Sequence, residues 1–117
     1  MTLSLGNITF DCTDPRRVAG FWAQALDRPV DDGANEFFAS LRTRPDEPTW
    51  LFIKVPEGKS AKNRLHVDLR ADDRETEVAR LVGLGATRHD DHDQYGVAWT
   101  VLTDVEGNEF CVGQPSI

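Results

Sequence analysis

Cysteine is scarce in this chain: Cys12 and Cys111 are the only two in 117 residues. One pair does not make the disulfide framework of a small secreted scaffold, and a domain of this length buries roughly two thirds of its unfolded surface without one. Both are therefore read as free thiols that pack as small hydrophobes. Long apolar runs are missing too. Nothing approaches the roughly 18 consecutive apolar residues that a membrane helix needs, and the start Met1-Thr2-Leu3-Ser4-Leu5 lacks the basic flank and apolar stretch of a signal peptide. A cytoplasmic protein is expected. Basic charge is in deficit, with 13 Lys and Arg against 20 Asp and Glu for a net charge of -7. The basic residues are scattered, whereas phosphate binding needs them clustered, so neither nucleic acid nor a membrane surface is an expected partner. No Gly-rich loop precedes a helix, and there is no dinucleotide fingerprint and no Ser-His-Asp order.

What is present is a repeat. Asn7-Ile8-Thr9-Phe10-Asp11-Cys12-Thr13-Asp14 runs in step with His66-Val67-Asp68-Leu69-Arg70-Ala71-Asp72-Asp73, and Asp46 to Lys54 runs in step with Asp104 to Val112. The second match lays Phe52 on Phe110 and Ile53 on Cys111. Each half reads as strand, helix, then three strands. Asp14-Pro15 opens the first helix, whose stripe is Val18, Phe21, Trp22 and Ala25; Asp72 with Glu75 resembles a capping box opening the second, with Val78, Leu81 and Val82 as its stripe. Gly85 ends the second helix and Asp27 holds the matching place in the first. A short strand near Val30, strands around Phe37 to Leu41 and Trp50 to Val55, and later strands near Thr87, at Val97 to Thr103 and at Glu109 to Val112 complete the halves. The polar stretch Glu57 to Asn63 reads as the linker. His89-Asp90-Asp91-His92-Asp93 reads as a solvated turn rather than a metal tract, since five adjacent residues rarely converge on one ion.

The expected architecture is thus α+β, a single domain over residues 1–117 with one module over about 3–56 and another over about 63–113. In each module one sheet face takes the helix and the other stays free. Two free faces would curl into a central cup, lined on strand parity by Asn7, Thr9, Asp11, Leu51, Ile53, His66, Asp68, Glu109 and Cys111. For the strand around Trp99 the inner set is either Val97, Trp99 and Val101 or Ala98, Thr100 and Leu102. Trp22 is expected in the core, while Trp50 and Trp99 are expected in outer strands, as a ligand-stacking wall or a buried dimer contact.

This order of elements, with Asn63-Arg64-Leu65-His66-Val67-Asp68-Leu69, Leu84-Gly85-Ala86 and Asp104-Val105-Glu106-Gly107-Asn108-Glu109-Phe110-Cys111-Val112, resembles the glyoxalase/bleomycin resistance group of the vicinal oxygen chelate superfamily. The resemblance covers Leu5 to Val112. It implies two βαβββ modules forming a curved mixed sheet around a cup, and a homodimer. It also implies a divalent metal held by the first and last strand of each module, at places that fall here on Asn7, Ile53, His66 and Cys111. Only His66 matches the family's ligand types: Asn is a weak donor, Ile cannot coordinate, and Cys prefers soft ions. No metal or other cofactor is therefore expected.

The expected ligand site comprises Asn7, Ile53, His66, Asp68, Trp99, Glu109 and Cys111. Asp68, Glu109 and Asp11 make it acidic, which suits a cationic small molecule. His66 is the best catalytic candidate, because imidazole works as acid, base or ligand near neutral pH. Three functions follow: a small-molecule-binding protein that has lost the metal, a lyase or isomerase built on His66 with or without a divalent ion, or a structural partner whose cup is filled.

Overall fold

The computed structural model describes residues 2–42 and 44–116. It divides into two compact units that meet in sequence at Gly58 and Lys59, inside the stretch read as the linker. Each unit is an α+β module with its helix on one face of a mixed sheet. Among the described residues no helix is long and apolar enough to cross a membrane.

In the first unit β1 (Asn7–Cys12) leads into α1 (Pro15–Leu26), followed by β2 (Phe38–Leu41) and β3 (Thr49–Lys54). The sheet order is β1-β3-β2, with β1 parallel and β2 antiparallel to the central β3. Asp14 caps α1, its Oδ1 accepting from the Arg17 amide at 3.3 Å, and Pro15 supplies the preset first turn. Asp27 ends the helix at φ 55°, the left-handed cap expected there. Alternation along β1 sends Ile8, Phe10 and Cys12 toward α1 and leaves Asn7, Thr9 and Asp11 exposed. The core is an aromatic stack in which Trp22, fully buried, meets Phe10, Phe21 and Trp50 with ring centroids 5.1 to 5.6 Å apart. Trp50 therefore does not form an outer wall. It lies on the central strand and faces the helix, because Trp50 and Phe52 share the parity that packs under α1. Near Val30 no regular strand forms; the segment is tied to β2 by the Asp31 amide, which donates to the Ser40 carbonyl at 3.0 Å, and by the Ser40 hydroxyl, which donates to Asp31 Oδ2 at 2.8 Å.

The second unit runs β4 (Val67–Arg70), α2 (Arg74–Gly83), β5 (Thr87–Gln94), β6 (Val97–Thr103) and β7 (Glu109–Pro115), with sheet order β4-β7-β6-β5. The cap of α2 is Asp73 rather than Asp72: its carboxylate accepts from the Thr76 amide at 3.2 Å and the Thr76 hydroxyl at 2.8 Å. Val78 and Leu81 are buried as the stripe requires, but Val82 is 43% exposed at the edge of that stripe.

The tract His89 to Asp93 is part of β5, not a turn. The turn lies at Tyr95 and Gly96, both at positive φ (56° and 76°), a two-residue hairpin of the primed kind that matches strand twist. A strand this polar forms because it is an edge, exposed along its length and, among the described residues, paired only to β6. Its irregularity between Arg88 and Asp91 is held by side chains. Arg88 bridges Glu75 and Asp91, while Thr100, fully buried on β6, donates its hydroxyl to Asp91 at 2.8 Å and accepts from Arg74 at 2.9 Å.

The repeat differs from its sequence alignment in one respect. Ile8 pairs with Trp50, whereas its counterpart Val67 pairs with Phe110, which aligns with Phe52. The two ladders are out of step by two residues. An even slip preserves which face each side chain takes, but it makes Asn7 or Thr9 the counterpart of His66, and Leu51 or Ile53 the counterpart of Cys111.

Candidate functional site

The helix-free face of the second sheet holds a cavity of about 520 Å³. Its residues come from all four strands and the segment before β4. Burial along β6 resolves the choice left open by sequence: Thr100 and Leu102 are fully buried toward the helix, so Val97, Trp99 and Val101 line the cavity. Of the residues expected at the site, His66, Asp68, Trp99, Glu109 and Cys111 line this cavity together. Asn7 and Ile53 belong to the first unit, where both are exposed on the face away from α1.

One wall is aromatic. His92 of β5 lies directly across from Trp99 in the hairpin, and their rings stack with centroids 5.0 Å apart and planes 21° from parallel. Sequence reasoning missed His92 because it placed the turn too early. Centring the turn on Tyr95-Gly96 would have put His92 opposite Trp99. Lys62, in the linker stretch, also lines the cavity and went unrecognised, as did Leu69 and Gly113. Gly113 lies on the floor beside these rings; a Cβ there would meet Val97 Cγ1 at 3.5 Å and Trp99 Cβ at 3.7 Å, so its lack of a side chain keeps the floor low.

The other wall is polar. His66 Nδ1 lies 3.1 Å from Asp68 Oδ1, and the parallel ladder sets Asp68 directly beside Cys111. A donor atom from each of His66, Asp68 and Cys111 lies within 4.8 Å of the other two. Burial pushes the Cys111 thiol up to about 11, helped by the charge and hydrogen bond of Asp68 and opposed by the charge of Lys62. Cys111 is thus a protonated thiol that donates to a carboxylate, not an activated nucleophile. Alkylation of Cys111 by iodoacetamide at pH 8 should run on the order of a hundredfold slower than that of free cysteine, from the scarcity of thiolate alone. Mass spectrometry of the time course checks this, and rapid labelling at Cys111 contradicts it.

Glu109 is less available than its sequence parity suggests. Its Oε2 accepts from Lys59 Nζ at 3.0 Å and its Oε1 from the Asn63 amide at 2.9 Å. Burial acts to raise its pKa, but the Asn63 and Lys59 hydrogen bonds outweigh that and hold it below the usual carboxylate value. Asn63 also donates its side-chain amide to Asn108 Oδ1 at 3.0 Å, tying the segment before β4 to the turn before β7. With Glu109 neutralised by Lys59, the lining offers Asp68 against Lys62. The cavity is more balanced in charge than the sequence implied.

The donor chemistry can be tested against the four-cornered metal centre that the resemblance implies. The second unit offers an imidazole and a thiol. The first offers at its matching places Asn7 or Thr9, and Leu51 or Ile53, both of the latter aliphatic whichever register is used. A hard divalent ion held at two corners by each module does not fit this residue set.

No functionally curated protein matches the sequence significantly. Among solved structures, the chain is similar to a glyoxalase/bleomycin resistance protein/dioxygenase family enzyme from Burkholderia phytofirmans, with TM-score 0.80 at 18% identity over 97% of this chain and 99% of that one. It is similar to TnmS3, an antibiotic binding protein from a Streptomyces species, with TM-score 0.71 at 18% identity over 99% of both chains. It is also similar to the fosfomycin resistance protein FosX from Mesorhizobium loti, with TM-score 0.75 at 14% identity over 100% of this chain and 96% of that one. At these identities the likeness is one of fold. The family model of the glyoxalase-like domain matches residues 7–113. With its paired α+β modules and a ligand-sized hollow on the second sheet, the chain belongs to the glyoxalase-like domain family.

Proposed function

We propose that this protein binds a small, partly aromatic molecule in the cavity of its second module, and that side chains rather than the family's four-cornered divalent centre hold the ligand. The observation that carries this reading is the pairing of a stacked Trp99–His92 wall with a polar His66–Asp68 wall across one open hollow. A planar ring would lie against the indole, which offers a large contact area at little entropic cost, and a donor group on that ring would reach the Asp68 carboxylate. Because Lys62 offsets part of the negative charge, a single positive charge on the ligand is enough to match the site. The antibiotic-binding and fosfomycin resistance proteins of the same fold support small-molecule binding as the class of function.

A thermal-shift screen against cationic antibiotics, thiol adducts and neutral aromatics tests the proposal, since any ligand of the native state raises the melting temperature. For a hit, Trp99→Ala should weaken binding at least tenfold, the usual cost of removing a buried aromatic anchor. Equal affinity in the variant would remove the aromatic wall from the site. The His66–Asp68 contact favours one second reading, a lyase or isomerase in which Asp68 orients the imidazole as the acid–base group. His66→Ala would then abolish turnover while ligand binding through Trp99 persists.

A further inference from the structure

We propose that Arg70 reads an acid group on the ligand, so that the molecule held by the second module is an amphoteric aromatic acid: a flat ring with a carboxylate at one end and a hydrogen-bond donor, such as an amine, at the other. This rests on the small-molecule reading above and names the class of ligand. Its ground is a second hollow of about 630 Å³ on the same sheet, which shares Asp68, Leu69, Val97 and Gly113 with the first and adds Arg70. Arg70 is exposed, it is the one cation among the residues lining this hollow, and no hydrogen bond or ion pair holds its guanidinium among the described residues. Gln114, at the same end, is turned toward the helix, where its side-chain oxygen accepts from the Arg74 amide at 2.7 Å. Recognition of an anion therefore falls to Arg70.

The strand register sets the recognition groups in one row. Arg70 of β4 pairs with Gly113 of β7, Gly113 with Trp99 of β6, and Trp99 with His92 of β5. Neighbouring strands lie ~4.8 Å apart, so about 10 Å of sheet separates the backbones of Arg70 and Trp99, and the glycine leaves that interval without a side chain. Gly113 is not among the glycines at positive φ, so its backbone does not call for glycine. In a strand interior glycine weakens the ladder, and it marks a place where another group comes close. A ring laid over Gly113 meets the indole on one side and the guanidinium on the other, whose fork takes a carboxylate through two parallel hydrogen bonds. Asp68 precedes Arg70 by two residues on the same face, ~6.6 Å along the strand, and accepts from the donor group. The charges agree. With Glu109 neutralised by Lys59, the two hollows offer Lys62 and Arg70 against Asp68, and an acid group on the ligand offsets the surplus cation.

Calorimetric titration of the whole chain with para-aminomethylbenzoate and with its methyl ester, near neutral pH and at low salt, tests the assignment. The acid should bind at least tenfold more tightly than the ester, the usual gain from a charge-assisted pair. Arg70→Gln should bring the acid down to the affinity of the ester, and Arg70→Lys, which keeps the charge but not the fork, should retain part of the preference. Gly113→Leu, which fills the row between the two side chains, should remove binding of both compounds. Arg70 is exposed at the end of its strand, so its replacement spares the fold and decides the matter if Gly113→Leu does not fold. Equal affinities of acid and ester in the unaltered protein, a preference for the acid that survives Arg70→Gln, or no binding of the acid overturns the proposal. Acid and ester bound equally, and both weakened by Trp99→Ala, would reject the role of Arg70 and leave the cavity reading standing. Failure of the cavity reading looks different: Trp99→Ala then leaves the affinity of every bound compound unchanged.

Discussion

Replacing Trp22 with alanine should destabilise the first unit by about 3–5 kcal/mol, the range for emptying an aromatic site in a well-packed core. Trp22 is fully buried and is the residue on which the other rings converge: Phe21 meets it edge-on at 87°, while Phe10 and Trp50 lie against it at tilts of 48° and 47°. Its removal leaves a void that backbone on both sides, helix and sheet, is too constrained to close. Edge-to-face and tilted pairs also contribute ~0.5–1.5 kcal/mol each beyond the area they bury, and all are lost together. For a chain of this size the melting temperature should fall by about 15 °C. Thermal denaturation followed by near-ultraviolet circular dichroism reports it, and a fall of only a few degrees would show that the stack is not the support of this unit. Trp22→Phe, which keeps a ring, should recover much of the loss.

Asp104→Ala should cost about 3 kcal/mol in the second unit. Asp104 is 4% exposed, and its Oδ1 accepts from the Glu106 amide at 2.9 Å, the Asn108 amide at 3.0 Å and the Asn108 side chain at 3.2 Å, while Oδ2 accepts from that side chain at 3.0 Å. Removing the carboxylate strands buried donors, each at ~1–3 kcal/mol unless water replaces the acceptor. The turn it organises, with Gly107 at φ 90°, starts β7 and sets Asn108 against Asn63. The cavity should therefore loosen as well as the fold. Asp104→Asn retains one acceptor and should lose less. Denaturant titration gives the cost, and two variants with equal midpoints would show that the carboxylate is not what holds the turn.

The elements that sequence made legible are those whose signals are local. Asp14-Pro15, the left-handed Asp27 and the alternation along β1 each depend on a few neighbouring residues, and each is found where its chemistry places it. The elements that were misread depend on partners far along the chain. His89 to Asp93 has the composition of a turn, and only its pairing with β6 makes it a strand. Trp50 could not be assigned to core or wall without knowing that β3 is central. The two-residue slip between the ladders leaves no local trace, because an even shift keeps the hydrophobic pattern intact. At the candidate site, parity brought out His66, Asp68, Glu109 and Cys111. It did not reveal that Lys59 neutralises Glu109 from outside the strands, nor that Asp68 stands between His66 and Cys111.

The all-polar β5 governs how this molecule meets its own kind. A second chain adding itself to that border would have to set its backbone against a row of acids and imidazoles and displace the Arg88 clasp on Asp91, with no apolar side chain on β5 to pack against. Continuous sheet growth, the route to fibrils and swapped strands, is closed on that side. Any pairing of sheet borders between copies is left to β1, β2 and β4.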